Sequence, residues 1–152
     1  MRIRPFKEDD LEKIINIYDN ARRAELILAG RTAAFRTLRG SEELSNLYAS
    51  KVLVALVSER VTGFVAYKDD RIDWLYVNPV HAREGIGEAL IRHAIGLMRQ
   101  ESPGCEINIR VLKGNVPAQK LYEKVGFVLE KQMPGEFPGT GQTVQVLCMK
   151  LR

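Results

Sequence analysis

Residues 77–90 read VNPVHAREGIGEAL, and this stretch decides the fold. A run of β-branched and aromatic residues ends at Val77, and Pro79 interrupts it. Gly85 and Gly87 then precede a helical pattern. Glycine lets a backbone approach a ligand closely, and the free N–H groups of a first helical turn attract anions. The stretch therefore predicts a strand, a turn and a helix whose N-terminus binds a ligand that carries phosphate.

Upstream of this stretch, the sequence predicts two helices and four strands. Apolar residues recur at helical spacing from Leu11 to about Leu28, and Gly30 is a plausible helix stop. Ser41 is placed to cap a second, shorter helix. Short polar joints separate the last three strands, which favours antiparallel pairing. The four predicted strands are Arg2–Phe6, Val52–Val57, Val61–Tyr67 and Ile72–Val77.

Downstream of the two glycines, a long helix is followed by shorter elements. The apolar stripe from Ile86 to Leu97 predicts that helix, and His93 lies on the stripe as a predicted packed residue. The next strand, Cys105–Leu112, follows a helical crossover, so we expect it to pair in parallel with the fourth strand. The remaining elements are a helix over Ala118–Val125, strands over Phe127–Met133 and Thr143–Leu151, and a loop over Pro134–Gln142.

Length and composition are typical of one soluble globular domain over residues 1–152, with 45% hydrophobic and 28% charged residues. No apolar stretch reaches the length of a membrane span, and no signal-like core follows the first residue. Cys105 and Cys148 lack the spacing of a redox or zinc motif. His81 and His93 offer no metal pair. We therefore expect a cytoplasmic protein without a metal and without membrane contact.

The charge of the chain is mildly basic, with a net charge of +4 and a sequence pI of 9.2. This balance suits an anionic ligand such as a phosphorylated cofactor. It is too weak to predict nucleic-acid binding, because the basic residues are spread along the chain rather than massed. We therefore expect no nucleic-acid partner.

The two glycines alone fit several phosphate-binding turns, and also a tight turn that binds nothing. A Rossmann dinucleotide turn needs a third small residue where this chain has Leu90, and it lies near the start of its fold. A Walker loop needs Gly-Lys followed by Ser or Thr, which does not follow these glycines. A second motif is needed to choose between these possibilities.

That second motif is residues 115–127, NVPAQKLYEKVGF. A strand, the glycine turn with its helix, another strand and this Asn–Tyr–Gly-Phe helix together resemble the GNAT superfamily of N-acetyltransferases. The resemblance covers residues 52–151, and the preceding helices fit the family's order. It implies a mixed α/β fold of the GNAT type, with a central, mostly antiparallel sheet that contains one splayed parallel pair and is flanked by helices.

The resemblance also implies a function. Acetyl-CoA is expected where the fourth and fifth strands splay apart, with its pyrophosphate on the turn from Ala82 to Gly87. The main chain of the fourth strand would pair with the pantetheine amides. Tyr122 would hydrogen-bond the departing sulfur while a primary amine attacks directly in a ternary complex. The expected cofactor-binding residues are Leu75, Tyr76, Val77, Ala82, Arg83, Glu84, Gly85, Ile86, Gly87, Glu88, Asn115 and Tyr122.

The glycine turn departs from the family pattern in its charges. Ala82 stands where the family usually has Gln or Arg, although the neighbouring Arg83 carries a positive charge. Glu84 and Glu88 flank the glycines, which opposes polyanion binding unless their carboxylates point to solvent. This departure motivates an alternative function, a catalytically inactive module that binds acyl-CoA.

The general base also departs from one branch of the family. Arg110 occupies the fifth-strand position at which the ribosomal-protein branch has a glutamate base. Asp73 is a candidate substitute, expected on the same strand face as Leu75 and Val77. A solvent-exposed carboxylate at the start of the strand is the simpler interpretation.

The acceptor amine is expected to contact residues 20–50 and the Pro134–Gln142 loop, which wall the acceptor side of this fold. Charged residues in the first segment suit an acceptor with a carboxylate or phosphate, whereas solvated helix faces are the favoured, simpler explanation. Both explanations concern Arg22, Arg23, Arg31, Arg36 and Arg39 against Glu25, Glu42 and Glu43. A homodimer is also compatible with a fold of this kind.

Overall fold

A single mixed sheet with helices on both faces forms the molecule. The computed structural model describes residues 1–137 and 139–152. The strands are β1 (Arg2–Pro5), β2 (Lys51–Val57), β3 (Arg60–Lys68), β4 (Arg71–Val77), β5 (Ile107–Leu112), β6 (Val128–Phe137) and β7 (Gln142–Leu151). The helices are α1 (Leu11–Leu28), α2 (Glu42–Tyr48), α3 (Ile86–Glu101) and α4 (Val116–Val125), with short 3-10 turns at Glu8–Asp10, Thr32–Ala34 and Pro79–His81.

The strand order in the sheet is β1-β2-β3-β4-β5-β7-β6. Neighbouring strands pair antiparallel, except that β4 and β5 are parallel and are joined through α3. This parallel pair is short, because only Arg71 with Asn108 and Ile72 with Ile109 are in register. Beyond Ile72 the two strands separate, which confirms the predicted mostly antiparallel sheet with one splayed parallel pair.

Each face of the sheet buries a hydrophobic core. Helix α3 packs the fully buried Leu90 and Ile91 against one face. On the other face, α1 contributes Ile14 and Tyr18, and the Tyr18 ring lies 5.3 Å from the Trp74 ring. Burial of each such side chain contributes about 1.5–3 kcal/mol, so the two helices hold β4 firmly from both sides. In the described part of the chain, no helix is both long and apolar enough to cross a membrane.

The residues of α3 that pack against the sheet differ in part from those that the sequence pattern predicts. The predicted packing of His93 is wrong, because its side chain is exposed. Ile91, Ile95 and Met98 are buried, so the buried face is rotated toward these three residues. At 100° per residue, this rotation carries His93 to the solvent side.

The last hairpin is longer than the sequence pattern predicts. Strand β6 continues through Pro134 to Phe137, so much of the predicted Pro134–Gln142 loop is strand. A proline is tolerated there because β6 is the edge of the sheet and needs no second row of donors. A Cβ at Gly135 would lie 2.8 Å from a methyl group of Val146, which explains a glycine inside this strand. Pro138, in the remaining loop, lies outside the described residues.

Candidate active site

The separation of β4 and β5 opens a cavity of about 440 Å³ between α1, the end of β4 and the N-termini of α3 and α4. We call it the narrow cleft. The structure brings into it every expected cofactor-binding residue except Glu84, whose side chain is exposed beside the turn. The lining residues from that set are Leu75, Tyr76, Val77, Ala82, Arg83, Gly85, Ile86, Gly87, Glu88, Asn115 and Tyr122.

One wall of the narrow cleft is a free strand edge. Strand β4 stays paired with β3 as far as Val77, whereas its pairing with β5 stops at Ile72. Within residues 1–137 and 139–152, the β5-facing edge of β4 has no strand partner after that point. Free main-chain donors and acceptors along an edge are suited to an extended ligand that contains amides.

The glycine turn supplies a second polar wall. Gly85 has a φ of 80° and is the N-cap of α3, with no side chain capping the helix. The first intrahelical bond recorded at this end runs from the Ala89 N–H to the Gly85 carbonyl, at 3.1 Å. The amides of Ile86, Gly87 and Glu88 therefore precede the hydrogen-bonded ladder, and the helix dipole favours an anion in front of them.

The acidic side chains of the turn lie next to basic side chains. Glu88 contacts Lys124 at 2.8 Å and Arg92 at 3.0 Å, and these hydrogen bonds lower its pKa. Glu84 lies 3.2 Å from the Nδ1 atom of His81. The Glu88 carboxylate is therefore ionised at neutral pH. Its ion pairs with Lys124 and Arg92 offset its negative charge, which reduces its repulsion of an anion at the helix N-terminus.

Tyr122 places a phenol at the inner end of the narrow cleft. Its ring is 6% exposed and packs beside the Phe127 ring, with centroids 6.1 Å apart. The Tyr122 hydroxyl makes no hydrogen bond to another group of the described structure. Every fully buried side-chain oxygen of that structure has a hydrogen-bond partner, so this hydroxyl is not fully buried and opens to the cleft that Tyr122 lines. Burial, followed by the charge of Glu25, raises the pKa of Tyr122 far above its usual value.

Glu25 on α1 is a site residue that the sequence pattern did not single out. Its carboxylate accepts hydrogen bonds from Arg22 at 2.5 Å, from the Tyr76 hydroxyl at 3.2 Å and from the Asn115 side chain at 3.4 Å. The Asn115 side-chain oxygen Oδ1 in turn accepts from the Ala118 N–H and caps α4. Glu25 therefore connects α1, β4 and α4 around one point, and only the folded topology reveals this.

Comparison with known proteins identifies the family. The model of the acetyltransferase (GNAT) family matches residues 13–127. The chain belongs to the GNAT acetyltransferase family. Its sequence is 25% identical to the uncharacterized N-acetyltransferase YafP of Escherichia coli over 142 residues, which cover 91% of this chain and 89% of that protein.

Solved structures show the same GNAT fold over the whole chain. A GCN5-related N-acetyltransferase from Rhodopseudomonas palustris superposes with a TM-score of 0.86 at 18% identity, covering 99% of this chain and 94% of the other. The acetyltransferase yncA from Salmonella typhimurium, described as putative and solved with acetyl-CoA, gives a TM-score of 0.75 at 24% identity and covers 100% and 93%.

A second and larger cavity of this GNAT domain, about 740 Å³, lies on the α1 and α2 side of β4. We call it the wide cavity. Tyr76 borders both cavities, so this residue lies between the two spaces. Aromatic rings form part of its wall, whereas its charged groups are mixed in sign. The charged lining residues are Arg22, Arg36, Glu42, Glu43, Lys68, Arg71, Asp73 and Arg110.

Asp73 lines the wide cavity rather than the narrow cleft. The expectation that it shares a face with Leu75 and Val77 is wrong, because the register of β4 against β3 shifts at this point and makes Asp73 an extra, bulged residue. Its carboxylate accepts a hydrogen bond from Arg71. Arg110 lines the same cavity from β5.

The five arginines of residues 20–50 separate into two groups. Arg22 and Arg36 line the wide cavity. The other three are engaged elsewhere: Arg23 lies over the Phe35 ring, Arg31 bonds the Thr143 carbonyl and Arg39 pairs with Glu12. Two of the five arginines therefore lie where the acceptor explanation requires them, and the other three make contacts elsewhere. In the part of the chain that is described, no cluster of side chains has a metal-binding composition.

Proposed function

We propose that this protein is an N-acetyltransferase that moves the acetyl group of acetyl-CoA to a primary amine by direct attack in a ternary complex. One observation carries the proposal. The uncapped N-terminus of α3, the free edge of β4 and the open hydroxyl of Tyr122 all line the same narrow cleft. These are the three kinds of group that a pyrophosphate, a chain of amides and a leaving thiolate require.

The residues of the narrow cleft fit acetyl-CoA. The amides from Ile86 to Glu88 would bind the pyrophosphate, and Arg83, which lines the same cleft, would add charge where Ala82 adds none. The main chain from Leu75 to Val77 would pair with pantetheine. When bound, the cofactor supplies a thioester that reacts with a neutral amine.

Tyr122 would act on the leaving group. Because burial raises its pKa, the phenol stays protonated throughout the neutral range and can donate a hydrogen bond to the sulfur as charge develops there. Full proton transfer is not required, since a thiol of ordinary pKa near ~8.5 is a good leaving group.

The acceptor would enter from the wide cavity and meet the cofactor beside Tyr76. An α-amine with a pKa near ~8 is partly neutral at pH 7, whereas a lysine near ~10.4 costs roughly 4–5 kcal/mol to deprotonate. A carboxylate that accepts the amine proton therefore matters most for basic acceptors. Asp73, which lines the wide cavity, is the candidate that the sequence suggests for this role.

The proposal is tested by measuring CoA release from acetyl-CoA across a panel of amines, together with Tyr122→Phe. We expect this variant to turn over roughly 10²-fold more slowly, because it keeps the ring and loses the donor. Its affinity for CoA, measured by calorimetry, should stay near that of the wild type. Tyr48→Phe is the matched control, since the Tyr48 hydroxyl bonds Glu8 on the surface and borders neither cavity. Equal turnover of Tyr122→Phe and wild type at all pH values would refute the role of Tyr122.

A catalytically inactive acyl-CoA-binding module is the second candidate, and Ala82 and Arg110 are the observations that favour it. Such a module would bind CoA in the calorimeter and release no thiol with any amine of the panel. The two functions are therefore separated by one pair of measurements.

A further inference from the structure

We infer that Glu25 is the general base of the proposed acetyl transfer and takes the place of the missing β5 glutamate. The inference depends on the proposed function and deepens it. Glu25 lines the narrow cleft together with Tyr122, whereas Asp73 lies in the wide cavity. The proton of the attacking amine must be accepted where the thioester carbon lies, which is beside the leaving-group donor.

The hydrogen bonds of Glu25 leave one acceptor position open. Its Oε1 atom accepts from Arg22 at 2.5 Å and from the Tyr76 hydroxyl at 3.2 Å, which uses both lone pairs of that oxygen. Among the described residues, its Oε2 atom accepts only the long, 3.4 Å bond from Asn115. An ionised carboxylate has about four acceptor sites, so Oε2 retains one for an N–H group in the cleft.

The position of Glu25 between the cavities supports the same role. The Glu25 side chain is 16% exposed and the Arg22 side chain 20%, so the ion pair is shielded from solvent. Arg22 lines the wide cavity and Glu25 the narrow cleft, one helical turn apart on α1. An amine that attacks the thioester beside Tyr122 would therefore lie in the same cleft as the Glu25 carboxylate.

The proposed step transfers the acetyl group from sulfur to nitrogen. The lone pair of the amine nitrogen forms the N–C bond, the C–S bond breaks, and the sulfur keeps the electron pair while Tyr122 donates a hydrogen bond to it. The amine proton moves to Oε2 of Glu25 and then to solvent. Bond formation makes the N–H group strongly acidic, so a carboxylate beside it can accept this proton.

The groups that donate hydrogen bonds to Glu25 do not titrate in the neutral range, and His81, which lines the same cleft, is present in both the wild type and Glu25→Gln. Arg22 on α1 stays cationic and Asn115 is neutral. The pKa of Tyr76 on β4 is raised far above its usual value, by burial first and then by Glu25, and burial likewise raises the pKa of Tyr122 on α4. A pH effect that disappears with Glu25 is therefore attributable to its carboxylate or to the amine itself.

Glu25→Gln tests the inference once wild-type turnover has been shown with an amine of the panel. We expect kcat/KM to fall roughly 10²-fold at pH 7 and the deficit to shrink as pH rises, because hydroxide and free amine then replace the base. The Kd for CoA, measured by calorimetry without an acceptor, should change less than about threefold. The substitution alters neither the amides at the N-terminus of α3 nor the main chain of β4. Glu12→Gln, at the far end of α1 and outside both cavities, is the matched control and should keep wild-type rates.

Three outcomes overturn the inference and leave the proposed function standing: wild-type rates in Glu25→Gln, a deficit that is constant across pH, or a deficit confined to Asp73→Asn. Glu25→Asp is the second variant if the glutamine substitution lowers Tm. Aspartate keeps the charge beside Arg22 but withdraws the carboxylate by one methylene, so a rate between wild type and Glu25→Gln is expected, and full activity would also contradict the inference. Absence of turnover in the wild type refutes the proposed function itself.

Discussion

At the scale of single residues, the two glycines of the turn have different physical reasons to be glycine. Gly85 has a φ of 80°, a conformation that costs other residues roughly 1–2 kcal/mol. Gly87 lies inside the first turn of α3, and a Cβ there would contact Leu121 at 3.4 Å and Val77 at 3.7 Å, which are ordinary distances. The first glycine is therefore favoured by its backbone conformation, whereas the second borders the narrow cleft, where an added methyl group would lie against two other lining side chains.

Alanine substitutions should separate these two roles. Gly85→Ala is expected to lower the free energy of unfolding by about 1 kcal/mol, because an L residue is strained at that φ. Gly87→Ala is expected to leave the unfolding free energy within about 0.5 kcal/mol of wild type but to weaken CoA binding, because the added methyl group enters the narrow cleft. Urea denaturation measures the first effect and calorimetry the second. Wild-type CoA affinity in Gly87→Ala would argue that the ligand does not approach this turn.

At the scale of elements, an ion pair ties the first strand to the start of α1. The Arg4 guanidinium donates to both Asp10 carboxylate oxygens at 2.8 and 3.0 Å, and the Lys7 N–H donates at 2.8 Å. These bonds, with Arg4 contributing most, lower the pKa of Asp10 below its ordinary value. Asp10 is 5% exposed, so solvent screens the pair only weakly.

This linkage predicts the sign of a pH effect on stability. A group whose folded pKa is lowered stabilises the fold above its unfolded pKa, near ~3.9, and loses that stabilisation as pH falls through the folded pKa. Asp10→Asn should lower the unfolding free energy by roughly 2 kcal/mol at neutral pH and flatten its dependence on pH below about 4. Chemical denaturation at several pH values measures this. Parallel curves for wild type and variant would show that Asp10 does not contribute to the acid sensitivity.

The C-terminal end of α1 lies directly against the loop that precedes α4. Gly114 has a φ of 105°, and a Cβ there would lie 2.8 Å from the Leu28 carbonyl oxygen, which is backbone and cannot move freely. Gly30, just after α1, also has a positive φ of 68°, but a Cβ there would meet nothing within 4 Å. The two glycines therefore carry the same kind of strain, and only Gly114 adds a steric contact between elements.

We expect Gly114→Ala to destabilise the protein more than Gly30→Ala. The control should lose about 1 kcal/mol through backbone strain alone, and Gly114→Ala roughly 2–4 kcal/mol, because strain and overpacking add. Displacing the end of α1 should also lower turnover, since α1 carries Glu25. The free energy of unfolding from urea titration, with kcat, tests this, and equal losses in the two variants would mean that the α1 contact is not tight.

At the scale of the whole molecule, the sequence predicts the lining of the narrow cleft far better than that of the wide cavity. The β4 strand, the glycine turn and the Asn115–Tyr122 helix are local motifs, so their residue spacing alone brings most of the expected residues into one cleft. Glu25 was named only as one charged residue of the 20–50 segment, and its contacts were missed because its partners Tyr76 and Asn115 are 51 and 90 residues away along the chain. The predicted strand face of Asp73 was wrong because strict alternation of side chains along a strand does not reveal a β-bulge. The β6–β7 hairpin was predicted too short because a proline such as Pro134 usually ends a strand.

The wide cavity leads to a prediction about acceptor specificity that depends on both of the separated strands, β4 and β5. Arg110 lines it from β5, opposite the bulged Asp73 of β4, and the described structure records no ion pair for its guanidinium. A guanidinium in this position suits a carboxylate, and such a charged hydrogen bond is worth roughly 1.5–3 kcal/mol. For an acceptor amine that carries a carboxylate, Arg110→Ala should therefore raise KM about 10-fold or more with little change in kcat. For the corresponding amide, KM should not change, and the Kd for CoA should match wild type. An equal rise in KM for the acid and its amide would show that Arg110 shapes the cavity without binding the carboxylate. Arg110 would then have no charge-specific role in acceptor binding.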